Sequence, residues 1–312
     1  MEPIAPASSG HRMPVALTLF GILVIVVIAI GLLIHFALPG GFKGVISAQS
    51  LPQELYGASL IASVEGKSSV YTRQPFWYAA RRVPGAVTGA STNGDVILAR
   101  TEAGYSVFEG NTLRTQVNQP IEAPSIPPVV SAIMYAQQVQ NEDLESTGPR
   151  TGGSRITNPA HWQIQLLLAN ASSATPVIAG YAPLFIDDSS FLFVAADGIY
   201  RYTLESGHIT KLLDRVFPVV VTPVIQSPDR TLIAFRDLVT RSTSIYQLDA
   251  DSLKLVMEMS EHFQSPTLSN TALYDVKGTP TGAEVWKYPF DGSSAEMIHV
   301  FPRELAITDI VF

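Results

Sequence analysis

One period narrows the folds open to this chain more than any other feature. Asp188, Asp229 and Asn270 lie 41 residues apart, each in a polar turn between apolar runs. Around them the same grammar repeats over 181–213, 222–257 and 265–300. Each unit has an apolar run, a turn, a second run rich in Phe, Leu, Ile, Val or Ala, and two further runs joined by Gly, Ser or Asp. Residues 86–117 hold another unit, with runs at 86–89, 95–100, 105–108 and 113–117. Residues 125–180 read as a stretched copy, with runs at 129–136, 162–168 and 175–178 around a polar span, 141–159.

Short runs of β-branched and aromatic residues bounded by turn formers are strands. No stretch after residue 44 sustains a helical period, so an all-β domain is expected. Units of about 40 residues with four strands each predict propeller blades, because so small a sheet buries both faces only by packing between two neighbours. Five blades fall between 86 and 300. Residues 60–63, 69–72 and 76–80 add three strands without an innermost one, and the apolar run 305–312 at the other end of the chain supplies it. The expectation is a single propeller of six four-stranded blades over 55–312, closed by its C-terminal strand so that no sheet edge is left open at the seam. The span 141–159 sits between the middle strands of its blade and is read as a surface or partner-binding loop.

The first 54 residues read differently. Positions 15–38 carry no charge over twenty-four residues, a length that as a helix covers a hydrocarbon core of roughly 30 Å. Pro14 opens the run and Pro39-Gly40-Gly41 stops it. A cleaved signal peptide is a poorer match, since its apolar core usually has only about 7–15 residues. The segment is therefore expected to be one N-terminal transmembrane helix, a signal-anchor that makes the bilayer a partner. A short cytoplasmic tail over 1–14 would precede it, a linker over 39–54 would follow, and the large domain would be extracytoplasmic.

The stretch Ser227-Pro228-Asp229-Arg230-Thr231-Leu232-Ile233-Ala234-Phe235 resembles the S-P-D-G-x-x-L-A-F signature of the TolB-like and WD-like β-propellers. Arg230 stands where that family usually has glycine. Weaker echoes are 187–193, 269–274 and 93–98. The resemblance implies a fold and not a chemistry, since such motifs mark blade turns in proteins of many functions. The combination of Gly-His with Trp-Asp that marks WD repeats is absent, since no tryptophan is followed by aspartate.

Composition then removes classes of activity. A net charge of -7 gives no broad attraction for phosphate backbones, so nucleic acid is excluded as a partner. The absence of cysteine removes disulfides, thiolate nucleophiles and Cys-ligated metals. Six isolated histidines, His11, His35, His161, His208, His262 and His299, form no ligand motif. Neither a G-x-S-x-G elbow nor a nucleotide-binding glycine loop is present. Asp187-Asp188 reads as turn chemistry rather than an acid-base pair, and 249–252 lacks the glycine and glutamate of a calcium loop. Trp77, Trp162 and Trp286 are expected to pack between blades, with Tyr71, Tyr78, Tyr200, Tyr202, Tyr246 and Tyr288.

No residue is singled out as catalytic, cofactor-binding or metal-ligating, and no cofactor is implied. The function expected is a membrane-anchored, extracytoplasmic, non-catalytic protein-binding or envelope-assembly scaffold in a bacterial cell envelope, with its partner on the propeller rim or the 141–159 loop. The alternatives are a propeller hydrolase or lyase acting on carbohydrate or lactone at the channel mouth, and a ligand-sensing domain.

Overall fold

A computed structural model of the protein describes residues 50–64, 67–74, 77–90, 96–102, 104–110, 112–119, 121–127, 132–139, 159–169, 171–215, 221–237, 242–261 and 263–312, together with 24, 26 and 45–47. The chain divides into two compact units, 1–46 and 47–312. In the first, Val24 and Val26 are helical and exposed. Among the described residues no helix is long and apolar enough to cross a membrane.

That finding corrects the expected transmembrane helix over 15–38. With it go the bilayer partner, the single-pass topology and the cytoplasmic and extracytoplasmic assignments built on that helix. A long uncharged run is necessary for a span and not sufficient. Within 15–38 only Val24 and Val26 are described, and the proposed 1–14 tail lies outside the described residues.

The second unit is a six-bladed propeller in which blades 2 to 6 are four-stranded antiparallel meanders. Blade 2 runs β5 (Ala86–Ala90), β6 (Val96–Thr101), β7 (Gly104–Glu109) and β8 (Thr112–Val117). Blade 3 is β9 (Glu122–Ser125), β10 (Ala132–Gln138), β11 (Trp162–Leu168) and β12 (Thr175–Ala179). Blade 4 is β13 (Tyr181–Phe185), β14 (Ser190–Ala195), β15 (Gly198–Thr203) and β16 (Ile209–Asp214). Blade 5 is β17 (Val221–Gln226), β18 (Leu232–Asp237), β19 (Thr243–Leu248) and β20 (Leu253–Met259). Blade 6 is β21 (Pro266–Leu268), β22 (Ala272–Thr279), β23 (Gly282–Pro289) and β24 (Glu296–Pro302).

Blade 1 joins the two ends of the unit. Its sheet has the order β1 (Val45–Ser47), β4 (Trp77–Val83), β3 (Lys67–Arg73), β2 (Ser59–Val64), β25 (Ile307–Val311). The C-terminal strand pairs antiparallel with β2, setting Ser59 against Val311 and Leu60 against Ile310. The closure expected from the apolar C-terminal run is the one observed. Leu51 and Leu55, ahead of β2, are buried, and the Tyr78 hydroxyl donates to the Leu55 carbonyl at 2.8 Å.

Burial explains the composition. The second strands are covered on both faces by neighbouring blades, so they read as continuous apolar runs rather than alternating ones. The first five residues of β10 (AIMYA) and of β14 (SFLFV) are buried. Outer strands such as β16 and β20 are mostly exposed or half-exposed and carry the charge. Between blades 3 and 4 the core is aromatic. Trp162 meets Tyr181 edge-on at 5.1 Å, and Met134 and Ile164 pack with Phe185, Phe191 and Phe193.

Candidate functional site

At one end of the blades lie the turns that join first strands to second strands, and these carry the period. In blade 4, Asp187 Oδ1 accepts from the Ser189 amide and hydroxyl, both at 2.7 Å, while Oδ2 accepts from the Ser190 hydroxyl at 2.6 Å. In blade 5, Asp229 Oδ1 accepts from the Ser227 hydroxyl at 2.6 Å and from the Thr231 amide at 3.0 Å. In blade 6, Ser269 does the equivalent work, accepting from the Thr271 and Ala272 amides. Each side chain satisfies backbone donors that a tight turn would leave without partners. Burial raises the carboxyl pKa values of Asp187 and Asp229, but these hydrogen bonds outweigh it and hold both below the usual carboxylate range. Turn chemistry is therefore the role of Asp187.

Arg230 adopts a left-handed backbone, φ 61°. Glycine takes that conformation at little cost, which accounts for the family's usual residue here. The arginine side chain makes a contact that glycine could not. It is half-buried, donates at 3.4 Å to the Ile186 carbonyl of blade 4, and feels the carboxylates of Asp188 and Asp187. On its other side the Asp229 amide donates to Asn270 Oδ1 at 3.4 Å. The three turns are thus linked along one face, blade 4 to 5 to 6.

Between blades 3 and 4 this face opens. A cleft of about 250 Å³ is lined by Pro127, Ala132, Leu166, Leu168, Phe185, Asp188 and Leu204. It is the unsealed end of the aromatic inter-blade core, since Leu166 and Leu204 pack on Phe185, Phe191 and Phe193 from its margin. Leu168 is 52% exposed at the mouth. Drug-sized ligands occupy pockets of roughly 300–1,000 Å³, so this smaller space suits one large side chain or two small ones.

The loop expected to bind a partner springs from the opposite end, because it joins Gln138 to Trp162 while the cleft holds Ala132 and Leu168 at the far end of the same hairpin. Residues 140–158 lie outside the described residues, and Pro159 opens a short 3-10 helix, Pro159–His161. Among the aromatic residues singled out, Trp162, Tyr71, Tyr78, Tyr246 and Tyr288 are buried. Trp286, Tyr200 and Tyr202 are partly buried against the cores. Among the described residues no group of three or more His, Asp or Glu side chains could hold a metal.

Two carboxyls, one buried and one half-buried, escaped sequence reasoning because they sit inside strands. Asp275 on β22 is fully buried, with Oδ1 accepting the Gln264 and Ser265 amides at 2.8 Å and Oδ2 without a hydrogen bond. Desolvation raises its pKa. Asp309, on the closing strand, accepts from the amide of its own neighbour Ile310 at 2.8 Å. Its pKa is pushed up to about 7, first by desolvation and further by the Asp275 charge.

No protein-family profile matches the chain, and no curated protein matches it. Solved structures do. TolB from Acinetobacter baumannii superposes with a TM-score of 0.50 at 13% identity, covering 84% of this chain and 67% of TolB. An oligogalacturonate lyase in complex with manganese gives 0.48 at 9% identity, covering 84% of this chain and 83% of the lyase. A puromycin-hydrolysing peptidase of Mycobacterium tuberculosis gives 0.42 at 14% identity, covering 78% of this chain and 45% of the peptidase. Likeness at this level shows the six-bladed fold, distantly similar to TolB and other propeller proteins.

Proposed function

We propose that the ring is a non-catalytic binding protein whose ligand is another protein, docked on the face of the linked turns with an apolar side chain in the cleft between blades 3 and 4. The observation that carries this reading is the open end of the inter-blade core. Leucine and phenylalanine side chains that elsewhere would be covered by the next blade line a concave, solvent-facing space. Filling it removes apolar surface from water, worth about 1.5–3 kcal/mol for one large aliphatic side chain. A rigid ring also holds the cleft preformed, so little ordering opposes binding.

A photoreactive amino acid at position 168, used in the protein's native host, tests the proposal. A discrete adduct with one protein is expected from position 168, and Leu204→Glu is expected to remove it. The control is position 255, an equally exposed leucine (50%) on the outer strand of blade 5. Adducts from 255 and none from 168 would move the binding surface to the rim.

A further inference from the structure

We infer that the seam between blades 6 and 1 is a proton-operated latch, in which the closing strand β25 is held firmly while Asp309 is uncharged and eases away from blade 6 once Asp309 ionises near Asp275. The cleft between blades 3 and 4 takes no part in it. Besides pairing with β2, β25 packs against β21, β22 and β23 of blade 6. Phe312, just past β25, meets the Tyr274 ring of β22 at 4.7 Å, and Lys287 of β23 reaches Glu54, ahead of β2, at 3.7 Å. These contacts hold the seam shut.

Against them works a pair of carboxyls that the same packing brings together. Asp275 has no exposed surface. Its Oδ1 takes two backbone amides, while Oδ2 lies in the interior without a hydrogen bond. A carboxylate so placed acts strongly on its surroundings, because little water screens it. Asp309 is on the other side of the seam, half-buried on β25, with the Ile310 amide as its donor. The charge of Asp275 opposes its ionisation.

Neighbouring cations do little for Asp309. β2 and β21 have no charged side chain. On β22, Lys277 donates to the Tyr288 hydroxyl at 2.7 Å and lies over the Trp286 ring, and its charge, with that of Arg236 on β18, acts on Asp275. On β23, Glu284 accepts from Trp286 Nε1, and Lys287 pairs with Glu296 and Glu54. Arg303 and Glu304, in the short 3-10 helix before β25, are exposed. Desolvation, and after it the Asp275 charge, push the Asp309 carboxyl up to about 7. Opened to water, the same carboxyl returns to about 3.9. Between those values the closed seam holds the proton more tightly than the open one, so each unit of rising pH weakens closure by up to about tenfold, with no further change above 7.

Amide exchange on the full chain from about pH 5 to 8, corrected for the intrinsic chemical rate at each pH and repeated in dilute urea, reads opening segment by segment. At 59–62 and 307–311 the opening constant is expected to rise by up to about tenfold per pH unit and to level above 7. It should exceed that of β10 and β11 in blade 3 at every pH and respond little to urea, the mark of a local opening. Asp309→Asn keeps the shape without the charge and should hold the seam at its low-pH protection throughout. Asp309→Ser serves the same purpose should the asparagine variant fail to fold. Asp275→Asn should move the rise to lower pH.

Seam amides that open only together with β10 and β11, sharing their urea slope, would show that the ring unfolds as a whole and has no latch. Opening that ignores pH, or that keeps its pH response without the Asp309 carboxyl, would overturn the inference equally. An unmoved midpoint in Asp275→Asn would remove the carboxyl pair on which the latch rests.

Discussion

Blades 4 and 1 reach the same four-stranded inner arrangement by different routes. Blade 4 is one continuous meander, 181–214, and its turns are fixed by residues next to one another, such as Asp187 with Ser189 and Ser190. Blade 1 draws β25 from the far end of the chain, and its inner contacts join residues about 250 positions apart, as in Thr308 Oγ1 to the Ile61 carbonyl. A locally encoded blade can form from its own sequence, whereas a closing blade waits for the whole ring. The two also handle acid groups in opposite ways. Blade 4 places Asp187 in a turn where donors stabilise its charge, and blade 1 places Asp309 where desolvation opposes it.

Removing residues 304–312 should have the largest effect, because it strips β25 from β2 and opens the ring. A truncated chain is expected to lose its single cooperative thermal transition in circular dichroism. Retention of the full-length melting temperature would show that closure contributes nothing.

A local lesion in blade 4 should cost less and leave the ring closed. A Cβ at Gly198 would overlap the Leu213 carbonyl oxygen and press on Lys211. Gly198→Ala is therefore expected to destabilise by about 1–3 kcal/mol in denaturant unfolding, with the unfolding slope unchanged.

Next come the opposite pH dependences of the two blades. The Asp309 carboxyl titrates near 7 in the folded protein and near 3.9 in the unfolded chain. Between those values the folded state binds more protons, so this group makes stability fall as pH rises from about 4 to 7, with no further change above. Asp309→Asn should remove that slope. Asp187, held below the usual range, contributes stability that is present above about pH 4 and lost as pH falls further. Asp187→Asn should remove part of the acid-side loss and leave the neutral region unaltered. Urea midpoints measured from pH 3 to 8 separate the two, and identical profiles for both variants would refute the contrast.

The smallest change is expected from Arg230→Gly. Relief of the left-handed backbone at φ 61° offsets loss of the contact to Ile186, so stability should shift by less than about 1 kcal/mol.

The blades were legible because inter-blade burial forces apolar runs at a fixed interval, yet the interval marks turns and not equivalent atoms. The working carboxylate of blade 4 is Asp187 rather than Asp188, since the turns differ in length. The Ser227 amide closes on the Leu232 carbonyl, whereas the Ser269 amide closes on that of Ala272. The inner strand β9 went unread because Glu122-Ala123-Pro124-Ser125 has weak strand propensity and is held by its neighbours. Departure from glycine at Arg230 was visible in the sequence, and its backbone conformation explains the family's preference. The cleft had no sequence signature, being built from ordinary leucines and a phenylalanine contributed by two blades. At 15–38 the sequence pattern was strong, yet among the described residues no helix is long and apolar enough to cross a membrane.

The most direct measurement of the central claim is hydrogen–deuterium exchange on the full chain, alone and with the protein recovered through position 168. Docking in the cleft predicts slowed exchange at residues 166–168, 185–190 and 204–205, with the outer strand of blade 5, 253–259, unchanged. Protection confined to blade 5 or to blade 1, with the cleft residues exchanging as in the free protein, would contradict it.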